Sequence, residues 1–198
     1  MIGGTSMIEY FIDVKKLIPY DYKKSIYDVD YAKLYAEGCR IILTDLDNTL
    51  ISYKEHMPDD KLLKWKEEVT SLGFEIVLIS NSRKKRVSSF AKKFGTAYQH
   101  LATKPLKRGY KKALKKASRK YKNEEVLFLG DQLMTDVFGA SRLNYRTILI
   151  EAVERKTDKW FTRINRSLEK RVVKRIKRKY PDDFNRVLKE YSYEHYGL

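Results

Sequence analysis

Along this chain, blocks of unbroken apolar residues alternate with blocks in which apolar residues recur every three or four positions. "CRIILTD" (Cys39–Asp45) is of the first kind, the pattern of a strand buried on both faces of a parallel sheet. "PDDKLLKWKEEVTSLG" follows with helical spacing, placing Leu62, Leu63, Val69 and Leu72 inward, with Gly73 as the stop. "FEIVLIS" predicts a second buried strand, and "RKKRVSSFAKKFG" a second helix that ends at Gly95. "AYQHLA" is a weaker third strand. "LKRGYKKALKKASRKY" predicts a helix with Leu106, Tyr110, Ala113, Leu114, Ala117 and Tyr121 on one face. "EVLFLGD" is a fourth strand, "TDVFGASRLN" a short helix and "RTILIE" a fifth strand. Strand and helix thus alternate five times with short joins. This predicts an α/β fold: an open, mostly parallel, five-stranded sheet with helices on both faces.

The alternating block fills residues 40–151 and predicts the core. Residues 1–39 read as a segment that packs on it, with Asp28 in a turn and Asp30 capping the short helix "YAKLYAEG". Residues 152–198 read as a basic helical extension. There Ile164, Leu168, Val172, Ile176 and Tyr180 recur every four residues among Arg163, Arg166, Lys170, Arg171, Lys174, Arg175, Lys177, Arg178 and Lys179. Pro181 ends that helix, and "DDFNRVLKEY" starts another with Phe184, Val187, Leu188 and Tyr191 on one side. Such a stripe packs onto the protein's own core, or else lies on an anionic bilayer or against nucleic acid. It is narrow and has no Trp or Phe between Ile164 and Tyr180, which weakens the membrane reading.

Composition narrows the class. At 198 residues, with 42% apolar and 34% charged residues, the chain can bury a sizeable core and is not a disordered polymer. The single cysteine, Cys39, excludes an internal disulfide framework and points to a reducing, cytoplasmic setting. Met7 to Leu17 is broken by Glu9, Asp13, Lys15 and Lys16, so it is not a secretory signal. No apolar run approaches the roughly 18 residues of a membrane span. Met1–Ser6 reads as a leader before a start at Met7. The formal net charge of +16 is unevenly spread: Ile76 to Asn123 holds no Asp or Glu, while Arg83 to Lys122 holds 16 Lys and Arg. That segment is either a solvated face or a docking surface for something anionic.

The candidate chemistry lies at the strand ends. In open α/β sheets, ligands sit outside the carboxyl ends of the strands. Strand one runs into Asp45-Leu46-Asp47-Asn48-Thr49, strand two into Ser80-Asn81, strand three toward Lys104-Pro105, and strand four into Gly130-Asp131, with Asp136 five residues on. Three carboxylates, a hydroxyl, an amide and a lysine therefore converge on one edge. Ionised carboxylates leaving a buried strand are costly unless a cation or a proton partner meets them.

The stretches "DLDNTL", "SNS", "KP" and "GDQLMTD" resemble, in order and near-spacing, those of the haloacid dehalogenase (HAD) superfamily of aspartate-dependent phosphatases, which has a Rossmann-like fold. "SIYDVD" (Ser25–Asp30), "GDQLMTD" and "FTRINRSLE" (Phe161–Glu169) resemble its YqeG-like subgroup, of subclass III without a large cap, related to mitochondrial phosphatidylglycerophosphate phosphatases. The resemblance implies that Asp45 is the nucleophile. It also implies that Mg²⁺ is held by the Asp45 side chain, the Asp47 backbone carbonyl and the Asp131 side chain.

The residues suit those roles. A carboxylate can act as nucleophile through a covalent intermediate, here an aspartyl-phosphate, and Mg²⁺ prefers hard oxygen ligands. The Asp47 side chain is then free to protonate the leaving oxygen and to take a proton from water. Thr49, Ser80, Asn81 and Lys104 would bind the phosphoryl group, with Ser80 and Asn81 donating hydrogen bonds and Lys104 neutralising charge. Asp136 would act one shell out, through water or by orienting Lys104. Each residue also has a plain reading: an acidic turn at Asp47–Thr49, a strand-end turn at Ser80-Asn81, a solvated Lys104, a helix-start acid at Asp136. His56, His100 and His195 share no metal-site spacing.

Thirty residues separate Thr49 from Ser80 and 23 separate Ser80 from Lys104, which a helix and a strand nearly consume. No cap domain fits, so the site is expected to be open to a large or surface-borne phosphate. Three functions follow. One is a phosphatase for an anionic lipid headgroup such as phosphatidylglycerophosphate, peripheral at the inner membrane face. The second is a phosphatase for nucleic-acid ends or another phosphorylated macromolecule. The third is an RNA- or ribosome-associated binding protein using the basic surface. Nothing in the sequence speaks to the oligomeric state.

Overall fold

The computed structural model describes residues 13–155 and 160–198, with side chains 160–166 left out of the description. The leader reading of Met1–Ser6 and the positions of Phe161, Arg163, Ile164 and Arg166 within the tail pattern therefore lie outside the described residues.

Six strands form one parallel sheet: β1 (Asp21–Lys23), β2 (Ile41–Thr44), β3 (Glu75–Ile79), β4 (Ala97–Gln99), β5 (Val126–Gly130) and β6 (Arg146–Ile150), in the order β1-β6-β5-β2-β3-β4. The α/β architecture is the expected one, with one strand more than the pattern predicted. The addition, β1, comes from the segment before the core and pairs along the edge of β6, Tyr22 against Leu149.

Alternation along the strands builds two apolar layers. Ile42, Leu78, Leu127 and Leu129 face one layer, with Trp65, Val69, Phe74, Phe90 and Phe94. Ile41, Leu43, Val77, Ile79, Val126 and Phe128 face the other, with Tyr110, Ala113 and Ala140. Because both faces are covered, successive residues can all be apolar, which is why the strands read as unbroken runs. Each such side chain contributes roughly 1.5–3 kcal/mol through burial.

The covering helices are α1 (Tyr31–Ala36), α2 (Asp60–Ser71), α3 (Lys84–Phe94), α4 (Lys107–Leu114) and α5 (Phe138–Ser141), which continues a π-helical turn, Leu133–Val137. Asp30 caps α1 by accepting from the Lys33 amide at 2.9 Å, and Asp59 caps α2 through the Leu62 amide at 2.8 Å. Gly95 closes α3 in the left-handed conformation, φ 67°. In α2 the inward face is Leu62, Trp65 and Val69, whereas Leu72 is exposed. The helix from Lys107 stops at Leu114, short of the expected Tyr121.

Beyond the sheet come α6 (Trp160–Lys179), a single turn Pro181–Asp183, a π-helical turn Phe184–Leu188 and α7 (Lys189–Tyr196). Val172, Val173, Ile176, Phe184, Val187, Leu188 and Tyr191 pack in one cluster with Val14, Leu17, Leu133, Val137 and Leu149. The described part of the apolar stripe thus packs on the protein's own core and not outward. No helix among the described residues is long and apolar enough to cross a membrane.

Candidate active site

Register sets the site. Thr44 of β2 lies beside Leu78 of β3 and Leu129 of β5, so the residues that follow emerge side by side at the carboxyl edge. The Asp45 amide extends the pairing by donating to Leu129 O at 2.9 Å. The chain then folds back: the Asn48 amide donates to Ile51 O at 2.7 Å, and Asn48 sits at φ 64°. Asn tolerates that left-handed geometry better than most side chains.

Lys104 is the hub. Its Nζ lies 2.6 Å from Asp45 Oδ1 and 2.6 Å from Asp136 Oδ1. Its backbone is held by Asn81, whose Oδ1 accepts from the Lys104 amide at 2.7 Å and whose Nδ2 donates to Lys104 O at 3.2 Å. Asn81 thus holds the Lys104 backbone from both sides of its side-chain amide. Asp136 Oδ2 accepts from the Gln132 amide at 3.1 Å. This brings Asp136 against Gly130, where an added Cβ would meet Asp136 Cβ and Cγ at 2.5 Å. The glycine of "GDQLMTD" is required for that close approach.

Asp45, Asp131 and Asp136 are all buried, with carboxylate oxygens within 4.8 Å of one another. Lys104 pairs with two of the three, Asp45 and Asp136. Burial pushes the Asp45 carboxyl well above its ordinary range; Lys104 opposes this, while Asp136, Asp131 and Asp47 add to it. Burial alone would lower the Lys104 ammonium, but Asp136 and Asp45 outweigh it and hold the lysine protonated. Such a cluster of hard oxygen donors, gathered out of water within 4.8 Å of one another, fits a divalent cation.

The Asp47 side chain points to different partners. Its Oδ1 lies 2.5 Å from Arg86 Nε, and its Oδ2 accepts from Ser82 Oγ at 2.5 Å and Ser80 Oγ at 3.3 Å. Arg86 also donates to Ser52 O at 3.1 Å and Glu55 O at 2.9 Å, and its Nη1 lies 3.1 Å from His56 Nδ1. One guanidinium therefore fixes both Asp47 and the loop after it. Arg86 and Ser82 were not singled out from the sequence. The available signal was Arg86 in the first turn of a helix with no acid there, where the helix dipole disfavours cations.

Thr49 stands apart from this network. Its hydroxyl is buried without a hydrogen-bond partner among the described residues. The residue lines a cavity of about 430 Å³ together with Tyr27, Met57 and Val153. Between Thr49 and Ser80 lie only a loop, α2 and β3, so no inserted domain stands over this edge.

A family model described as haloacid dehalogenase-like hydrolase matches residues 8–144. The probable phosphatase YqeG of Bacillus subtilis is 33% identical over 165 residues, which cover 83% of this chain and 94% of that one. Among solved structures, the cobalt-bound deoxy-D-mannose-octulosonate 8-phosphate phosphatase of Haemophilus influenzae is 12% identical, covering 60% of this chain and 70% of its own, with a TM-score of 0.45. The magnesium-bound HAD-hydrolase YfnB of Bacillus subtilis is 15% identical, covering 48% and 45%, with a TM-score of 0.42. Likenesses of that size say nothing of substrate or metal. The family match and the sequence relative carry the assignment: the chain belongs to the haloacid dehalogenase-like hydrolase family, on its YqeG-like phosphatase branch.

Proposed function

We propose that this phosphatase is a Mg²⁺-dependent phosphomonoester hydrolase that passes through an aspartyl-phosphate on Asp45. The observation that carries the reading is the buried cluster of Asp45, Asp131 and Asp136, with Lys104 paired to the first and the last. Asp45 and Asp131, with the backbone carbonyl of Asp47, would hold Mg²⁺, which when bound offsets carboxylate charge and polarises the phosphoryl oxygens.

The remaining work belongs to the protein's own groups. A carboxylate oxygen of Asp45 attacks phosphorus as the bond to the leaving oxygen breaks, and Asp47 gives that oxygen its proton. Asp47 then takes a proton from water. The water attacks phosphorus, releasing inorganic phosphate and restoring the Asp45 carboxylate. Lys104 neutralises charge on the phosphoryl group, Ser80 donates to it, and Asp136 keeps Lys104 in place.

The preferred substrate is a phosphomonoester presented on an anionic surface, such as phosphatidylglycerophosphate. Supporting this, every Lys and Arg between Arg83 and Lys122 except Arg86 and Lys104 is exposed. Of those exposed residues only Arg119 has an ion pair among the described residues. The helices that carry many of them, α3 and α4, begin at the same sheet edge as the site.

The test is phosphate release from an aryl phosphate with and without Mg²⁺, for wild type and Asp45→Asn. Micellar phosphatidylglycerophosphate and a 3′-phosphorylated oligonucleotide run alongside. Activity should require Mg²⁺ and fall on the order of 10³-fold or more in D45N, with the lipid hydrolysed faster than the oligonucleotide. Turnover by D45N equal to wild type would remove the aspartyl-phosphate, and a faster oligonucleotide would remove the lipid.

A further inference from the structure

One buried carboxylate takes no part in this chemistry. Glu169, on α6 of the C-terminal extension, is 0% exposed and has no ion pair among the described residues. Three donors satisfy it instead. Its Oε1 accepts from the Leu133 amide at 3.0 Å, and its Oε2 accepts from Tyr191 Oη at 2.8 Å and Tyr196 Oη at 2.9 Å. A carboxylate without a counter-ion in an apolar cluster is costly to desolvate, so what it holds deserves an account.

What it holds is the loop that carries two of the three clustered aspartates. Leu133 is the first residue of the turn Leu133–Val137, and its amide is one of the donors that a helix start leaves without an internal partner. Gln132, at the cap position, makes no side-chain hydrogen bond to the turn. The two amides directly after Asp131 are thus taken up separately: that of Gln132 by Asp136 inside the loop, that of Leu133 by Glu169 from outside it. The backbone direction from Asp131 to Leu133 decides where the Asp131 carboxylate points. The same stretch leads directly into Asp136. On the opposite side, Tyr110 Oη donates to Thr135 O at 2.5 Å, so the loop is gripped from the core and from the tail.

We propose that Glu169 is a positioning residue for Asp131 and Asp136, which makes the C-terminal extension a working part of the catalytic unit. This rests on the reading of that cluster as the seat of a divalent cation and a phosphoryl group. Partners of this kind, one step removed from a metal ligand, typically change affinity or activity by 10- to 100-fold when altered.

The experiment uses the full chain with Glu169→Gln, which keeps the shape but loses the charge, and Tyr196→Phe, which loosens Glu169 from the side away from the loop. Mg²⁺ affinity is read by calorimetry, kcat and KM on an aryl phosphate, and folding by thermal melting in a chelator. E169Q should bind Mg²⁺ about tenfold more weakly and lose about 10- to 100-fold in kcat, with KM changed less than about twofold. Y196F, which removes one of the three donors to Glu169, should weaken Mg²⁺ binding in the same direction as E169Q but by less, about threefold or under. A lowered melting temperature in E169Q with wild-type Mg²⁺ affinity and kcat would make Glu169 structural only and overturn the proposal. If E169Q does not fold, Glu169→Asp, one methylene shorter, is read for the same quantities against the same outcomes. If wild type binds Mg²⁺ but hydrolyses nothing, the phosphatase reading fails, and calorimetry still decides the role of Glu169.

Discussion

Arg86 shows how one side chain can hold a loop and a candidate catalytic carboxylate at once. Its fork binds Asp47, Ser52 O and Glu55 O together, from a position only 17% exposed. Lysine carries the charge but not the planar set of donors, so Arg86→Lys cannot replace these contacts. With Asp47 less well placed, R86K should lose roughly 10²-fold in kcat, the scale of general acid–base assistance. Steady-state kinetics on an aryl phosphate check this, and a kcat within twofold of wild type would show that Ser80 and Ser82 suffice to hold Asp47. At this scale the sequence was informative wherever a strand end supplied the context. Asp45, Asp47, Ser80, Asp131 and Asp136 stood out because each follows, or lies a few residues beyond, a buried strand, and Lys104 because it follows the weaker strand β4. Arg86 did not, being one of 16 basic residues in its segment. Asn81 was noticed for its donor, yet its use in holding the Lys104 backbone depends on a contact 23 residues away.

Among elements, the long strands were the legible ones, since burial on both faces leaves an unmistakable apolar run. Strand β1 has only three residues with one buried, too short for any period to register. The overlong prediction beyond Leu114 failed for a different reason. Glu75 draws the chain away, accepting from the Ser118 amide at 2.7 Å, Ser118 Oγ at 2.8 Å and Tyr121 Oη at 2.8 Å. Lys111, Lys112, Lys115 and Lys116 also oppose helix, with like charges four residues apart. The last helix is attached through a polar contact that fixes a pH dependence. Glu151, just after β6, accepts from Tyr22 Oη at 2.7 Å and sits 2.6 Å from His195 Nε2 and 3.0 Å from Arg155 Nε. Burial works against its ionisation, but His195, Arg155 and Tyr22 outweigh it and lower its pKa from 4.5 to about 2. A carboxyl depressed in the fold stabilises above its unfolded pKa and loses that contribution as pH falls through the folded value. At about 1.4 kcal/mol per pH unit, the contribution is bounded at about 3.5 kcal/mol. Glu151→Gln should therefore be less stable than wild type at pH 6, with the gap closing between about pH 4.5 and 2. Urea unfolding at a series of pH values reads the gap, and a difference constant across that window would sink the assignment.

For the molecule as a whole, the basic segment starts at the carboxyl edge beside the candidate site and runs toward the amino edge, where Ser118 and Tyr121 meet Glu75 at the start of β3. The sequence disclosed a segment with 16 basic and no acidic residues, but not where it lies relative to the aspartates. Parallel topology supplies that, because α3 and α4 each start where a strand has just delivered Ser80 or led toward Lys104. Attraction of this kind acts at long range and is screened within about 8–10 Å at physiological salt. The cluster around Lys104, by contrast, is buried, and its ion pairs are screened much less. Salt should therefore separate docking from chemistry. Between about 50 and 300 mM NaCl, kcat/KM on an anionic micellar substrate should fall several-fold, while kcat on an aryl phosphate changes less than about twofold. Reversing charge at Lys111 and Lys112, both exposed and outside the catalytic network, should reproduce the loss at low salt and leave the aryl phosphate reaction unchanged. If the two substrates respond equally to salt, or if K111E/K112E matches wild type on both, the basic face is a solvated surface. The substrate must then be recognised by contacts nearer to Asp45.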